Sequence, residues 1–334
     1  MNRTLILLVA VVILGAGAYF LMSEEKQGTV SSVVGADREF SVPREDVYKV
    51  FLGDRNGNRT TLTRTSSGWV YNDEYPARPD AVENLLTAVD KIRMRFKPAD
   101  AAIPNMIDGL ATQGIKVEIY GKNNELLKTY YIGGATNDER GTHIILDGAE
   151  QPYVAEIPGW EGNLRFRYNL IGDDWRDRTI FRLNPENITS VSVEYPKQQN
   201  KSFRVDYDEA AKVEPFYPLT PRIQKPLQPS RVQAYRNNFE KIIASGFNNL
   251  NRERDEITQQ IPFAIITVDT KNEDTQSLQL FPIFGKPFVD PKTGTTTQPT
   301  EVTGYYGLTH ANDFMILQNP MVSKILWAYD FFYE

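Results

Sequence analysis

The chain switches between two hydrophobic periods, and it does so twice. In "VYKVFLGDRNGNRTTLTR" (47–64), two runs of alternating apolar residues flank Asn56-Gly57. That dipeptide is the strongest short hairpin signal, because a type I′ turn needs positive φ at both central positions. "GWVYNDEYP" adds a third strand with Trp69 and Tyr71 on one face. The period then changes. In "RPDAVENLLTAVDKIRMRF" (78–96), Val82, Leu85, Leu86, Val89, Ile92 and Phe96 fall on one helical stripe. Pro79 suits the first helical position, and Asp80 and Glu83 suit the positive end of the helix dipole. Alternation returns in "GIKVEIYGKNNELLKTYYIGG" (114–134), "THIIL" (142–146) and "PYVAEI" (152–157). Strands, one helix and more strands predict an α+β unit: a mostly antiparallel sheet with one main helix packed on it.

The same series recurs downstream. Between "DREFSVPREDVYKVFL" (37–52) and "DRTIFRLNPENITSVSV" (177–193), Phe40 matches Phe181, Val47 matches Ile188 and Leu52 matches Val193, each pair 141 positions apart. The helix repeats 150 positions on, with Pro79 against Pro229, Val89 against Phe239 and Ile92 against Ile242. "FAIITVDTKNEDTQSLQLFPIFG" (263–285) repeats the hairpin, and "TGYYGL" (303–308) with "DFMIL" (313–317) repeats the closing pair. The offset steps between elements, with its large steps in "KVEPFYPLTPRIQKPLQP" (212–229) and "KPFVDPKTGTTTQP" (286–299), as a duplicated fold with loop insertions requires. The expected organisation is an N-terminal segment 1–36, a first α+β repeat 37–176 and a second, divergent repeat 177–334.

Residues 4–22, "TLILLVAVVILGAGAYFLM", carry no charge and are long enough to cross a hydrocarbon core as a helix. Arg3 precedes them and "SEEK" follows, which places the N-terminus inside. Ala16-Gly17-Ala18 leaves a cleaved signal peptide open, but the apolar run continues to Met22. The expectation is a transmembrane anchor at 4–22, a polar tether to residue 36, a single pass through the inner membrane and the bulk of the chain in the periplasm.

Composition narrows the chemistry. The chain has 334 residues, 37 basic against 43 acidic, for a net charge of −6. Without a basic excess or stripe, nucleic acid is not an expected partner. The absence of cysteine excludes disulfides, thiolate chemistry, zinc–cysteine and iron–sulfur sites and an acylated-cysteine anchor. His143 and His310 occupy non-equivalent places in the two repeats and leave little for a histidine metal site. No nucleophile elbow, H-E-x-x-H motif or glycine-rich phosphate loop occurs. No catalytic residue, cofactor or metal ligand is therefore assigned.

Several stretches allow a functional and a plain reading. "DRNGN" (54–58) could open a calcium loop but lacks the later bidentate carboxylate, so a hairpin turn is expected. Trp69 and Tyr71 could stack on sugars or fill the core. "GDDWRDR" (172–178) could hold an acid/base pair, but its place between the repeats favours interdomain salt bridges or a capped turn. Phe216 and Tyr217, in the proline-rich connection, could present a polyproline-type ligand to a partner or cover their own sheet. The tail "LWAYDFFYE" (326–334) either closes the second core or docks elsewhere. The loop 286–300, with Phe288, Val289, Thr295, Thr296 and Thr297, contains no predicted element, and loops of that kind are commonly functional. These five residues, with Phe216 and Tyr217, are the candidate partner contacts.

"GWVYNDEYPARPDAVENLLTAVDKI", "VEIYGKNNELLKTYYIGG", "PYVAEI" and "DDWRDRTIFRLNPENITSVSV" resemble, in that order, a bacterial domain-of-unknown-function family (number four-three-four-zero). The resemblance is specific over 47–193 and fades over 194–334. It implies an exported, membrane-anchored protein of Bacteroidota-like bacteria. A similar domain is attached to auxiliary components of gliding-type ABC transporters. The resemblance supplies no catalytic residues. The function expected on these grounds is a non-catalytic periplasmic scaffold or accessory subunit of a cell-envelope complex with a membrane or periplasmic protein partner. The alternatives are an exported binding module for envelope polysaccharide or peptide and, third, a carboxylate-based hydrolase.

Overall fold

The computed structural model describes residues 39–333 except 209, 272, 273, 286, 290–295 and 298. The first half contains β1 (Lys49–Gly53), β2 (Arg59–Thr65), β3 (Gly68–Tyr71), β4 (Tyr75–Pro76), α1 (Pro79–Lys91), β5 (Arg93–Phe96), α2 (Ile103–Gln113), β6 (Ile115–Tyr120), β7 (Leu126–Ala135), β8 (Thr142–Leu146) and β9 (Tyr153–Glu156). The second contains β10 (Thr179–Phe181), β11 (Ile188–Glu194), β12 (Phe203–Asp206), β13 (Lys212–Pro215), α3 (Pro229–Asn237), β14 (Ile242–Ile243), β15 (Gly246–Phe247), α4 (Arg254–Thr258), β16 (Ala264–Thr270) and β17 (Gln276–Phe284). It ends with β18 (Phe288–Val289), β19 (Thr296–Thr297), β20 (Val302–Thr309), β21 (Phe314–Gln318) and α5 (Asn319–Val322).

The first sheet runs β4-β3-β2-β1-β6-β7-β8-β9-β5 and the second β13-β12-β11-β16-β17-β20-β21-β15. Strand for strand the two orders correspond, and β4 alone has no counterpart. Register agrees too. Val50 pairs with Leu62 and Ile119, and its counterpart Val191 pairs with Val205 and Val268. Each helical segment is held to its lead-in by a corresponding backbone bond: Val42 N–H donates to the carbonyl of Val89 in α1 at 3.0 Å, and Leu183 N–H donates to the carbonyl of Phe239, in the 3-10 turn that follows α3, at 3.3 Å. Each helix start is also held by the segment that closes its core. Arg78 N–H donates to the Trp175 carbonyl at 2.7 Å, and Gln228 N–H to the Phe332 carbonyl at 2.9 Å.

Two hydrophobic cores follow, one between Phe40 and Trp175 and the other between Phe181 and Phe332. Val82, Leu85, Leu86 and Val89 of α1 lie in the first, in one cluster with Val117 and Ile119 of β6. Phe332 in the C-terminal 3-10 turn is fully buried, its ring 4.9 Å from that of Phe203 and 5.4 Å from that of Tyr235. The aromatic tail therefore closes the second core. Tyr71 is buried and Trp69 half-buried against the first core.

Several expectations are corrected. No helix among the described residues is long and apolar enough to cross a membrane. The longest, α1, has 13 residues and buries only one face; at 1.5 Å per residue it spans about 20 Å, short of a hydrocarbon core of about 30 Å. The transmembrane helix expected at 4–22 lies outside the described residues. The described fold is α+β, and none of its helices spans a membrane. The exported, membrane-anchored character, the single-pass inner-membrane topology, the periplasmic location and the partner contact through 4–22 are withdrawn with it. The main helices are also shorter than the stripes at 78–96 and 229–247. α1 ends where Ile92 turns extended (φ −63°, ψ 131°), and Arg93–Phe96 pairs with β9 at the far edge of the sheet. α3 stops at Asn237 and gives way to a 3-10 turn. Neither unit has one helix alone: the first adds the shorter α2, and the second adds α4 and α5. The β1–β2 loop spans Asp54–Asn58, with only Gly57 at positive φ (88°), so it is not the two-residue type I′ turn.

Candidate functional site

The loop 286–300 does contain an element. Phe288 pairs with Thr297 and Val289 with Thr296, so β18 and β19 form a two-stranded ribbon joining β17 to β20. Thr296 is exposed. Thr295 lies outside the described residues. Phe216 and Tyr217 sit elsewhere, just after the edge strand β13. Phe216 is exposed, its ring 5.3 Å from that of Tyr217. The Tyr217 hydroxyl donates to the Glu194 carboxylate, which pushes the phenol up to about 12. The β13 edge itself is closed by Pro215, by the flanking charges of Lys212 and Glu214, and by the Tyr333 hydroxyl, which donates to the Val213 carbonyl at 2.7 Å.

Between the two cores, "GDDWRDR" forms a clamp. The Arg176 guanidinium, 9% exposed, lies 3.8 Å from the ring centre of Tyr75 and 4.3 Å from that of Phe247. It donates to Asp173 at 3.1 Å and to Asp313, from the second half, at 2.8 Å. Asn249 Nδ2 bonds the remaining oxygens of both carboxylates at 3.0 and 3.2 Å, while its Oδ1 accepts from Phe314 N–H. The backbone on either side is stitched to both sheets. Asp177 N–H donates to the Pro76 carbonyl, and Ala244 N–H donates to the Arg178 carbonyl. The acidic pair is thus committed to one shared cation and one amide. Beside the clamp, a cleft of about 580 Å³ is lined in part by Arg44, Glu83, Asp177 and Arg182. These four pair with one another: Arg44 meets Glu83 twice, at 3.1 and 2.6 Å, and Arg182 meets Asp177 at 2.8 Å. The Arg44 hydrogen bond holds the Glu83 carboxyl below its ordinary range.

The remaining candidates resolve locally. Asp54 accepts from the Asn56 and Asn58 amides at 2.9 Å and from Asn58 Nδ2 at 2.7 Å. It caps its own loop. Asp54→Ala is expected to lower stability by about 1–2 kcal/mol, while calcium added to the native chain leaves its melting temperature unchanged; thermal melts check both. His143, on β8 and half-buried, has its pKa lowered by burial. His310 follows the second-half strand β20, so the two histidines belong to different sheets. Among the described residues no group of three or more acidic or histidine side chains is placed to hold a metal.

No curated protein and no solved structure matches the chain. A family match does exist, from Trp69 to Gln260. It starts after the first hairpin and runs past 193 through α3 and α4, so the family's pattern reaches farther into the second half than the sequence resemblance did. Covering more than half of the 334 residues, the match shows that the chain belongs to the family described as Domain of unknown function (DUF4340).

Proposed function

We propose that the protein is a non-catalytic interaction scaffold, an accessory subunit of a larger protein assembly. Its sheets serve as a rigid frame, and the β18–β19 ribbon, with Phe288, Val289 and Thr295–Thr297, meets a protein partner. The observation that carries this reading is the ribbon itself: a strand pair set in the connection between β17 and β20, with Thr296 exposed on it. A long insertion that keeps its own backbone pairing, set in the connection between two strands, suits a presented element. The Arg176 clamp supports the reading by fixing the two sheets against each other, so that the ribbon is offered in a constant orientation.

Replacing 287–299 with a short Gly-Ser turn tests it. Loop closure changes by only about 1 kcal/mol, so the melting temperature is expected to hold. Partner recovery after crosslinking in intact cells is expected to fall sharply. Unchanged recovery would remove the ribbon from the site. Little salt dependence is expected of the contact, since the ribbon offers hydroxyls and apolar groups rather than charge.

A further inference from the structure

Each domain holds a cleft at the same end, built from corresponding segments. In the first, the β1–β2 loop, Ile115 at the start of β6 and the stretch 165–171 enclose about 180 Å³. In the second, the β11–β12 connection, Phe263 just before β16 and the stretch 319–328 enclose about 380 Å³. Position is repeated, but chemistry is not. The first cleft is polar and self-satisfied. Asp54 is bonded by its own loop and feels the Arg165 guanidinium, which donates to the Ile132 and Gln113 carbonyls. The second has aromatic walls. Phe263 stands 5.8 Å from Tyr195 at 77° and 5.6 Å from Tyr305 at 47°, with Val322 and Leu326 beside them. Lys201 supplies the one charge among the described lining residues.

We propose that the second cleft docks a segment of the partner protein that carries one large apolar side chain within a residue of a carboxylate. The apolar side chain enters between Phe263, Tyr305 and Leu326, and the carboxylate pairs with Lys201. Volume and lining suit this occupant, since small binding sites are concave, mainly apolar and oriented by a few polar groups. Charge complementarity to a lone lysine selects an acid. Ring geometry disfavours a sugar. The rings meet edge-on or tilted and make a corner, not a flat exposed platform, and Tyr195 is buried with its hydroxyl donating to the Trp327 carbonyl at 2.7 Å. The cleft also opens at Val302, where β20 leaves the ribbon connection, so one partner could reach both features. The proposal deepens the scaffold reading and rests on it.

The test uses the full chain with ¹³C-labelled valine and leucine methyls, observed by NMR. Three peptides are titrated to millimolar concentration: acetyl-Gly-Gly-Ser-Phe with a free terminal carboxylate, its C-terminal amide, and acetyl-Gly-Ser-Phe-Asp-Gly amide. At least one acid is expected to shift the Val322 and Leu326 methyls saturably, about fivefold more tightly than the neutral amide. The acid that does so tells a chain terminus from an acidic side chain. Lys201→Ala, at an exposed position, is expected to erase the difference between acid and amide, and Lys201→Arg to keep it. Absence of saturable shifts with both acids, equal binding of the neutral amide, or indifference to Lys201→Ala would each overturn the proposal. So would shifts of these methyls by cellotetraose where both acids fail. Failure here, with partner recovery still dependent on the ribbon, leaves the scaffold reading standing. Peptide binding with ribbon-independent recovery overturns the ribbon alone.

Discussion

In Val89→Asp the first domain is expected to unfold while the second keeps its core. Val89 is fully buried, and its carbonyl accepts the bond from Val42 that holds the lead-in against α1. Among the described residues of the first half the one buried cation is Arg176, at the junction, so an aspartate at 89 is either ionised without a partner or protonated against its preference. Either state costs several kcal/mol, a large share of the roughly 5–15 kcal/mol that holds an ordinary domain folded. The second core contains no residue from the first half, so it loses nothing directly. Amide hydrogen exchange checks this: peptides within 40–175 should exchange as unfolded chain while those within 181–332 stay protected. The mirror experiment is Phe239→Asp, at the corresponding position and equally buried, with the two regions exchanging roles. Protection retained by the first region in Val89→Asp would show that the two helices do not play the same part.

In Arg176→Ala the two domains are expected to uncouple without unfolding. The side chain makes hydrogen bonds to two carboxylates and contacts two ring faces, one of each from either half. Its removal leaves Asp173 and Asp313 facing each other around Asn249, a loss of about 3 kcal/mol by the usual worth of charged hydrogen bonds and cation–π contacts. Because the group bridges Tyr75, packed on the first core, and Phe247, packed on the second, while belonging to neither core, the loss falls on their association. A single denaturant transition should resolve into two, and a distance distribution between spin labels on α1 and α3 should broaden. A distribution as narrow as that of the native chain would show that the backbone stitching alone sets the angle. Asp313→Asn, which keeps a hydrogen-bonding oxygen but loses the charge, is expected to give a smaller effect in the same direction.

The two periods along the chain made most of the sheet legible. Ile115, Val117 and Ile119 alternate, and all three are buried, because a strand with one covered face has no other arrangement open to it. Helix ends were less legible. Ile92 and Phe96 continue the α1 stripe numerically, yet Ile92 turns extended and Phe96 is largely exposed on an edge strand. A stripe of period 3.6 says nothing about where tertiary pairing takes the backbone over. The short helix α2 was missed because only Met106 and Leu110 are buried in it, too few to set a period. The Arg176 clamp was half visible: Asp173 is a near neighbour, but Asp313 and Asn249 come from distant segments that only the fold brings together. The aromatic cleft was invisible for the same reason, since Tyr195, Phe263 and Tyr305 belong to three separate elements.

The closing segments also bear on how the chain is made. Trp175 and Phe332 each come last in their unit, and each secures the start of a helix laid down roughly a hundred residues earlier. As the chain leaves the ribosome, the first core stays open until Trp175 has emerged, and by then the strand that begins the second unit is following directly behind. Synthesis of the two units therefore overlaps at 175–178, and a nascent chain halted just before that point exposes the pocket that Trp175 fills. Such a chain is expected to be held by chaperones, because its apolar surface is uncovered. A chain halted a few residues later is expected to have a closed first domain and to be resistant to protease.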